Sequence, residues 1–141
     1  MATAVTTKPQ FHIELVNDKD RLRFLPELAG PAFIAVESYV YQWMRRLCAD
    51  YSGGYWDFYN LNGKPGFMAP HDEKSFHLHC DGNFFDGEVS AEAAGIIVCI
   101  FALGCAFEVN PSLGILVERR ERLIDFATTH AEARQILQAI D

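Results

Sequence analysis

The side chains best suited to chemistry fall between residues 71 and 81: His71, His77, His79 and Cys80, with Asp72 and Asp81 beside them. Imidazole, thiolate and carboxylate groups ligate transition metals and carry acid–base or nucleophilic catalysis. His77 and His79 are two apart, so on a strand they share one face. Phe76, Leu78 and Cys80 then share the other, which describes a half-buried strand whose wet side carries histidines. No C-x-x-C pair or other zinc-type spacing accompanies them, so no metal site is expected. Cys80 lies between His79 and Asp81, but strand neighbours point to opposite sides, and adjacency does not make a nucleophile–base pair. A reactive thiolate also needs electropositive surroundings, whereas Asp81, Asp86, Glu88 and Glu92 follow it. The chain contains no G-x-S-x-G, H-E-x-x-H, G-x-x-x-x-G-K-[ST] or G-x-G-x-x-G string. No catalytic residues are assigned. The alternative is a small hydrolase or metal-dependent enzyme built on the His77/His79/Cys80 face.

Two further groups invite a binding reading. Tyr51, Tyr55, Trp56, Phe58 and Tyr59 could stack unpaired bases, but stacking platforms work with basic residues along the backbone path, and residues 47–63 contain no Lys or Arg. A strand packing its aromatics against helices is the simpler reading. Lys19, Arg21 and Arg23, and Arg119, Arg120 and Arg122, form small basic groups of the kind expected on solvated helix faces.

The elements around these residues follow from periodicity. Residues 1–9 read as a loose polar tail, and Phe11–Val16 as an edge strand with Phe11, Ile13 and Leu15 on one side. Arg21–Leu25 suggests a helical turn stopped near Pro26. From Pro31, Phe33, Val36, Val40, Trp43, Met44 and Leu47 recur at helical spacing. Residues 51–89 lose that period. Three runs, Tyr55–Leu61, Phe67–Ala69 and Ser75–Cys80, lie between turn signals and suggest an antiparallel meander, with Asp86-Gly87 as a turn before Ser90. Ser90 is the expected N-cap of an apolar helix running to Phe107. Leu113–Thr128 makes another helix, and Thr129-x-x-Glu132 reads as a capping box opening a last one that carries Ile136, Leu137 and Ile140 inward. The expected fold is α+β, one compact domain with a small antiparallel meander and about four helices.

Composition narrows the function classes. The chain has 141 residues, 12 Lys+Arg against 19 Asp+Glu, and a net charge of −7. Half of it is hydrophobic, which excludes intrinsic disorder. The acidic balance argues against a basic nucleic-acid binder and against tight duplex binding. A globule of this size is on the order of 37 Å across, and that length of duplex carries roughly 22 phosphate charges. With 19 acids and 12 bases, the protein falls well short of whole-surface DNA mimicry. The apolar run Ala93–Phe107 is shorter than the roughly 20 residues of a membrane span, and the polar N-terminus shows no apolar leader. A cytoplasmic protein without cofactor, metal or disulfide is expected.

Several strings carry a family likeness: Arg21-Leu-Arg-Phe-Leu-Pro-Glu-Leu-Ala-Gly-Pro31, Arg45-Arg-Leu-Cys-Ala-Asp-Tyr-Ser-Gly-Gly-Tyr-Trp-Asp-Phe-Tyr59, Gly66-Phe-Met-Ala-Pro70 and Phe85-Asp-Gly-Glu-Val-Ser-Ala-Glu-Ala-Ala-Gly-Ile96. In order and spacing they resemble the ArdB/KlcA antirestriction family. The resemblance implies a compact α+β protein of plasmids and other mobile elements that relieves restriction of incoming DNA by type I restriction-modification enzymes. It implies neither a DNA mimic nor an enzyme. The expected partner is a protein, the type I restriction enzyme or a host factor acting with it. Two acidic surfaces are candidates for that contact: Asp81, Asp86 and Glu88 in the turn region, and Asp141 at the end of an amphipathic helix. There a carboxylate meets the negative end of the helix dipole, an unfavourable placement of the kind that marks functional sites.

Overall fold

A computed structural model of the protein describes residues 10–141; the tail expected at residues 1–9 lies outside the described residues. The elements, in order, are β1 (Ile13–Leu15), α1 (Arg21–Ala29), α2 (Phe33–Leu47), β2 (Trp56–Leu61), β3 (Lys64–Pro70), β4 (Phe76–Cys80), β5 (Phe85–Val89), α3 (Ala91–Val109), α4 (Gly114–Thr129) and α5 (Ala133–Ile140). Short 3-10 turns precede α1 and α2. The α+β class is the one expected.

The centre is α3. Ser90 caps it, accepting from the Ala93 amide at 3.1 Å, and Asn110 ends it. Its 19 residues are long and apolar enough to cross a membrane by length and composition. Its surroundings are protein: α2, α4, α5 and β3 pack around it, and most residues from Ala91 to Ala106 are buried. The approach to β3 is close because Gly95 has no side chain. A Cβ there would lie 2.4 Å from the Met68 carbonyl and 2.5 Å from the Ala69 Cβ. One turn further on, the Cys99 thiol donates to the Met68 carbonyl and accepts from the Met68 amide, both at 3.4 Å. Burial pushes that thiol up to about 12. Buried cysteine packs as a small hydrophobe with a weak S–H donor.

The three runs expected in one meander divide between two sheets, and β1 joins the first. One sheet has the order β1-β2-β3, the other is the hairpin β4-β5, and all pairings are antiparallel. Asp86-Gly87 is not a turn: both residues lie within β5, opposite His79 and Leu78. The alternation Phe85, Gly87, Val89 against Asp86 and Glu88 has the period of a half-buried strand, and pairing with β4 satisfies its backbone. Leu15 ends β1 exposed, and Val16 just beyond the strand is buried instead.

Three more local expectations change. Pro26 lies inside α1 rather than ending it. It stands on the exposed side, and burying Phe24, Leu25, Leu28 and Ala29 outweighs one lost backbone hydrogen bond. Thr129 and Glu132 form no capping box: Thr129 closes α4, its hydroxyl donating to the Phe126 carbonyl at 2.8 Å. The Glu132 carboxylate crosses to Ser90, accepting from its amide at 2.9 Å and its hydroxyl at 2.5 Å. Lys19 and Arg23 are solvated as expected, but Arg21 and the three α4 arginines are not. Arg21 donates to the Trp56 carbonyl at 2.9 Å and lies over the rings of Phe58 and Tyr55. Arg119 donates to the carbonyls of Leu28 and Glu27, Arg120 to that of Ile100, and Arg122 to that of Leu61. These guanidiniums strap α4 to α1, α3 and β2.

Candidate functional site

The β4–β5 hairpin collects most of the residues singled out in the sequence. Along β4, Phe76 and Leu78 are buried while His77 and His79 face solvent, as the alternation predicts. Antiparallel pairing sets Glu88 opposite His77 and Asp86 opposite His79. Asp86 pairs with His77, and its second oxygen lies 3.8 Å from His79 Nδ1. His79 Nε2 lies 2.7 Å from Asp81. The histidines are thus engaged by carboxylates in a polar ladder across an exposed sheet face. Among the described residues no group of three His, Cys, Asp or Glu side chains is arranged to hold a metal. His71 is separate: it ends at the other sheet, its Nδ1 2.8 Å from Asp57.

That other region is an open groove of about 700 Å³ between β3 and the start of α3, with Asp57, Asp72, Glu73 and Glu92 on its walls. Burial first, then the charges of Asp57 and Glu92, raises the Tyr59 hydroxyl above the usual tyrosine value. Behind Glu92, His130 Nε2 donates to the Glu92 carboxylate at 2.5 Å, and its Nδ1 accepts from the Glu132 amide at 2.9 Å. Both imidazole nitrogens are therefore committed to holding α5 against α3.

The four candidate contact residues do not form one cluster. Asp86 and Glu88 stand on the open face of β5. Asp81 and Asp141 come together at a second cavity of about 280 Å³, lined also by Trp43, Arg46, Leu47, Cys80 and Phe101. Trp43 and Phe101 are stacked with centroids 4.4 Å apart, and the Arg46 guanidinium lies 4.8 Å from the Trp43 ring. The residue that joins the two halves is Asn83, which the sequence reading passed over. Its amide donates to the carbonyls of Ala139 at 2.7 Å, Asp141 at 2.9 Å and Gln138 at 3.2 Å, and its side-chain oxygen accepts from the Phe85 amide at 3.0 Å. The negative end of α5 is thus met by a polar donor, which offsets the unfavourable placement of Asp141. Cys80 faces this cavity rather than His77. The cysteines of the described residues are free.

The expected aromatic cluster is core. Trp56 and Phe58 are buried, Trp56 Nε1 donates to the Tyr51 hydroxyl at 2.8 Å, and Phe58 stacks on Phe24. Tyr55 alone of the group is exposed, at 54%.

The architecture is an α+β fold with two small antiparallel sheets on a central apolar helix. It matches a solved structure at TM-score 0.87 and 40% identity, covering 97% of this chain and 99% of the other; that structure comes from work on KlcA and ArdB describing a novel fold and antirestriction activity against type I DNA restriction systems in vivo but not in vitro. Residues 49–141 match the family model described as "Antirestriction protein". The antirestriction protein KlcA of Escherichia coli is 44% identical over 132 residues, spanning 89% of this chain and 90% of its own length. The uncharacterized protein YafX of Escherichia coli K12 is 36% identical over 149 residues, spanning 98% and 94%. This chain belongs to the antirestriction protein family.

Proposed function

We propose that this protein relieves type I restriction of incoming unmodified DNA in the cytoplasm, as one domain, by binding a protein and not by catalysis or DNA mimicry. The partner is the restriction enzyme or a host factor acting with it. The observation that carries the reading is the near-complete match to a structure from work that found activity in vivo but not in vitro. An inhibitor that needed only the purified enzyme would act on it in vitro, so dependence on the cell supports a further cellular partner. Arg21 of α1 and Arg119, Arg120 and Arg122 of α4, which would be natural phosphate contacts, are instead held on backbone carbonyls and rings, and this supports weak binding to duplex DNA.

Within that reading, Asp81, Asp86, Glu88 and Asp141 supply the acidic contact surface. The test is the plating efficiency of unmodified phage on restricting hosts, with and without the protein expressed. A rise against at least one type I system is expected, with little inhibition of the purified enzyme. Asp86→Asn with Glu88→Gln, and separately removal of Asp141, should lower the rise while leaving Tm nearly unchanged. No rise against any of several type I systems refutes the reading. Full activity in both variants moves the contact surface elsewhere.

A further inference from the structure

The turn between β4 and β5 holds a residue that folding does not account for. Phe84 is 89% exposed, with its backbone in the left-handed region at φ 61°. Left-handed backbone is costly for a bulky side chain and easy for Gly or Asn. The other non-glycine residue of positive φ among the described residues is Asn62, beside Gly63 in a tight turn, where asparagine suits the conformation. At position 84 the chain keeps a phenylalanine that is both strained and solvated. Leu22 is equally exposed, at 93%, but it lies on an ordinary helix, and single exposed apolar residues need no explanation. Strain together with exposure points to use.

The surroundings hold this ring in place and define what it can meet. Asn83 next to it is tied to three carbonyls at the end of α5, and Phe85 on its other side is buried. The ring therefore projects from a fixed base, which reduces the ordering cost of binding. Asp81 is in the same turn with its side chain 87% exposed, Asp141 is bonded through its carbonyl to Asn83, and Asp86 follows two residues on, also exposed. The turn that carries the knob is thus flanked by acids, Asp81 before it and Asp86 after it, with Asp141 tied to it through Asn83. That charge excludes insertion between bases or into an anionic lipid surface. It also disfavours a second copy of this chain, since pairing two such faces would bring like charges together.

We infer that Phe84 is the anchor of the partner contact: it enters an apolar socket on the partner protein, and Lys and Arg around that socket meet Asp81, Asp86 and Asp141. This rests on the protein-binding reading above and names the chemistry of its partner surface. An aromatic anchor at the centre of a polar rim is the arrangement in which truncation weakens binding most, commonly by about 30-fold or more in affinity.

The experiment compares wild type, Phe84→Gly and Phe84→Leu for relief of type I restriction, for Tm, and for sedimentation of the purified protein. Glycine adopts φ 61° without strain, so Phe84→Gly should keep or raise Tm while cutting relief by about tenfold or more, and Phe84→Leu should retain most of the relief. Full relief by Phe84→Gly overturns the proposal. So does a Tm loss of many degrees in Phe84→Gly, which would make the ring part of the fold. A wild-type dimer that Phe84→Gly converts to monomer gives the socket to a second copy and overturns the assignment of the partner. If wild type itself relieves no type I system, the protein-binding reading fails first and this inference falls with it; loss confined to the variants cannot be confused with that outcome.

Discussion

Replacing Gly95 with alanine sets two well-understood effects against each other. Gly95 sits mid-helix in α3, where alanine is favoured over glycine by about 1 kcal/mol. On propensity alone the substitution stabilises. The new Cβ, however, would lie 2.4 Å from the Met68 carbonyl, 2.5 Å from the Ala69 Cβ and 2.6 Å from the Ala69 Cα. Two of these are backbone atoms of β3, so no rotamer change relieves them. Ordinary contact begins near 3.4 Å, so α3 must withdraw from β3 by about 1 Å. That separation loosens the packing around Ile96, Cys99 and Phe67 and stretches the Cys99–Met68 hydrogen bonds. Overpacking of this kind costs about 3 kcal/mol or slightly more, which exceeds the propensity gain and leaves a net loss of about 2 kcal/mol. For a domain of this length each kcal/mol moves Tm by about 4 °C, so a fall of about 8 °C is expected. Thermal unfolding followed by circular dichroism measures it, with the urea midpoint as a second reading. A Tm equal to or above wild type would show that α3 and β3 are not in contact at Gly95, and the account of the core would be wrong.

Burial holds the Cys99 thiol proton in the folded state to about 12, whereas in the unfolded chain it leaves near 9.0. The unfolded state therefore loses its proton first: stability is intact below pH 9 and falls by about 1.4 kcal/mol per pH unit above it. Urea midpoints between pH 8 and 10.5 should show this slope, and Cys99→Ala should flatten it. Ser90→Ala removes both the α3 cap and the hydroxyl partner of Glu132, for an expected loss of about 2 kcal/mol; Glu132→Ala added to it should cost less than it does alone, which a double-mutant cycle measures. Chelator or reductant should leave Tm unchanged, and a drop of several degrees with either would reveal a metal or a disulfide.

The helices were readable because their signals are local. The Phe33–Leu47 spacing, the Ser90 cap and the unbroken apolar run of α3 each depend on residues within a few turns of one another. Likewise the exposed face of His77 and His79 follows from alternation alone. What stayed hidden depends on partners far along the chain. Nothing near Asp86-Gly87 distinguishes a turn from a strand that has β4 beside it, and Asp-Gly is a common turn pair. Glu132 has the right spacing to cap its own helix and instead bonds a serine 42 residues earlier. The arginines of α4 look solvated from local sequence because their carbonyl partners lie on α1, α3 and β2. The candidate acids were correctly placed at the surface. Asn83 and Phe84 carried no usable signal, since an amide that closes a distant helix and a ring left in solvent at positive φ become visible only in three dimensions.

The central position of α3 also governs how the chain must be made. Residues 10–90 include α1, α2 and both sheets, and of these α2 and β3 turn their apolar sides chiefly toward a helix that begins only at Ala91. A nascent chain therefore carries those faces without their covering while roughly 90 residues are polymerised, about 5–18 s at ordinary rates of synthesis. The two sheets share no edge, so strand pairing in one does not brace the other. Even β1 must wait, since Ile13 pairs with Leu61. Assembly is consequently a late, collective event rather than a progressive one, and protection of the nascent chain by a holding chaperone should matter more for its yield than its modest length suggests.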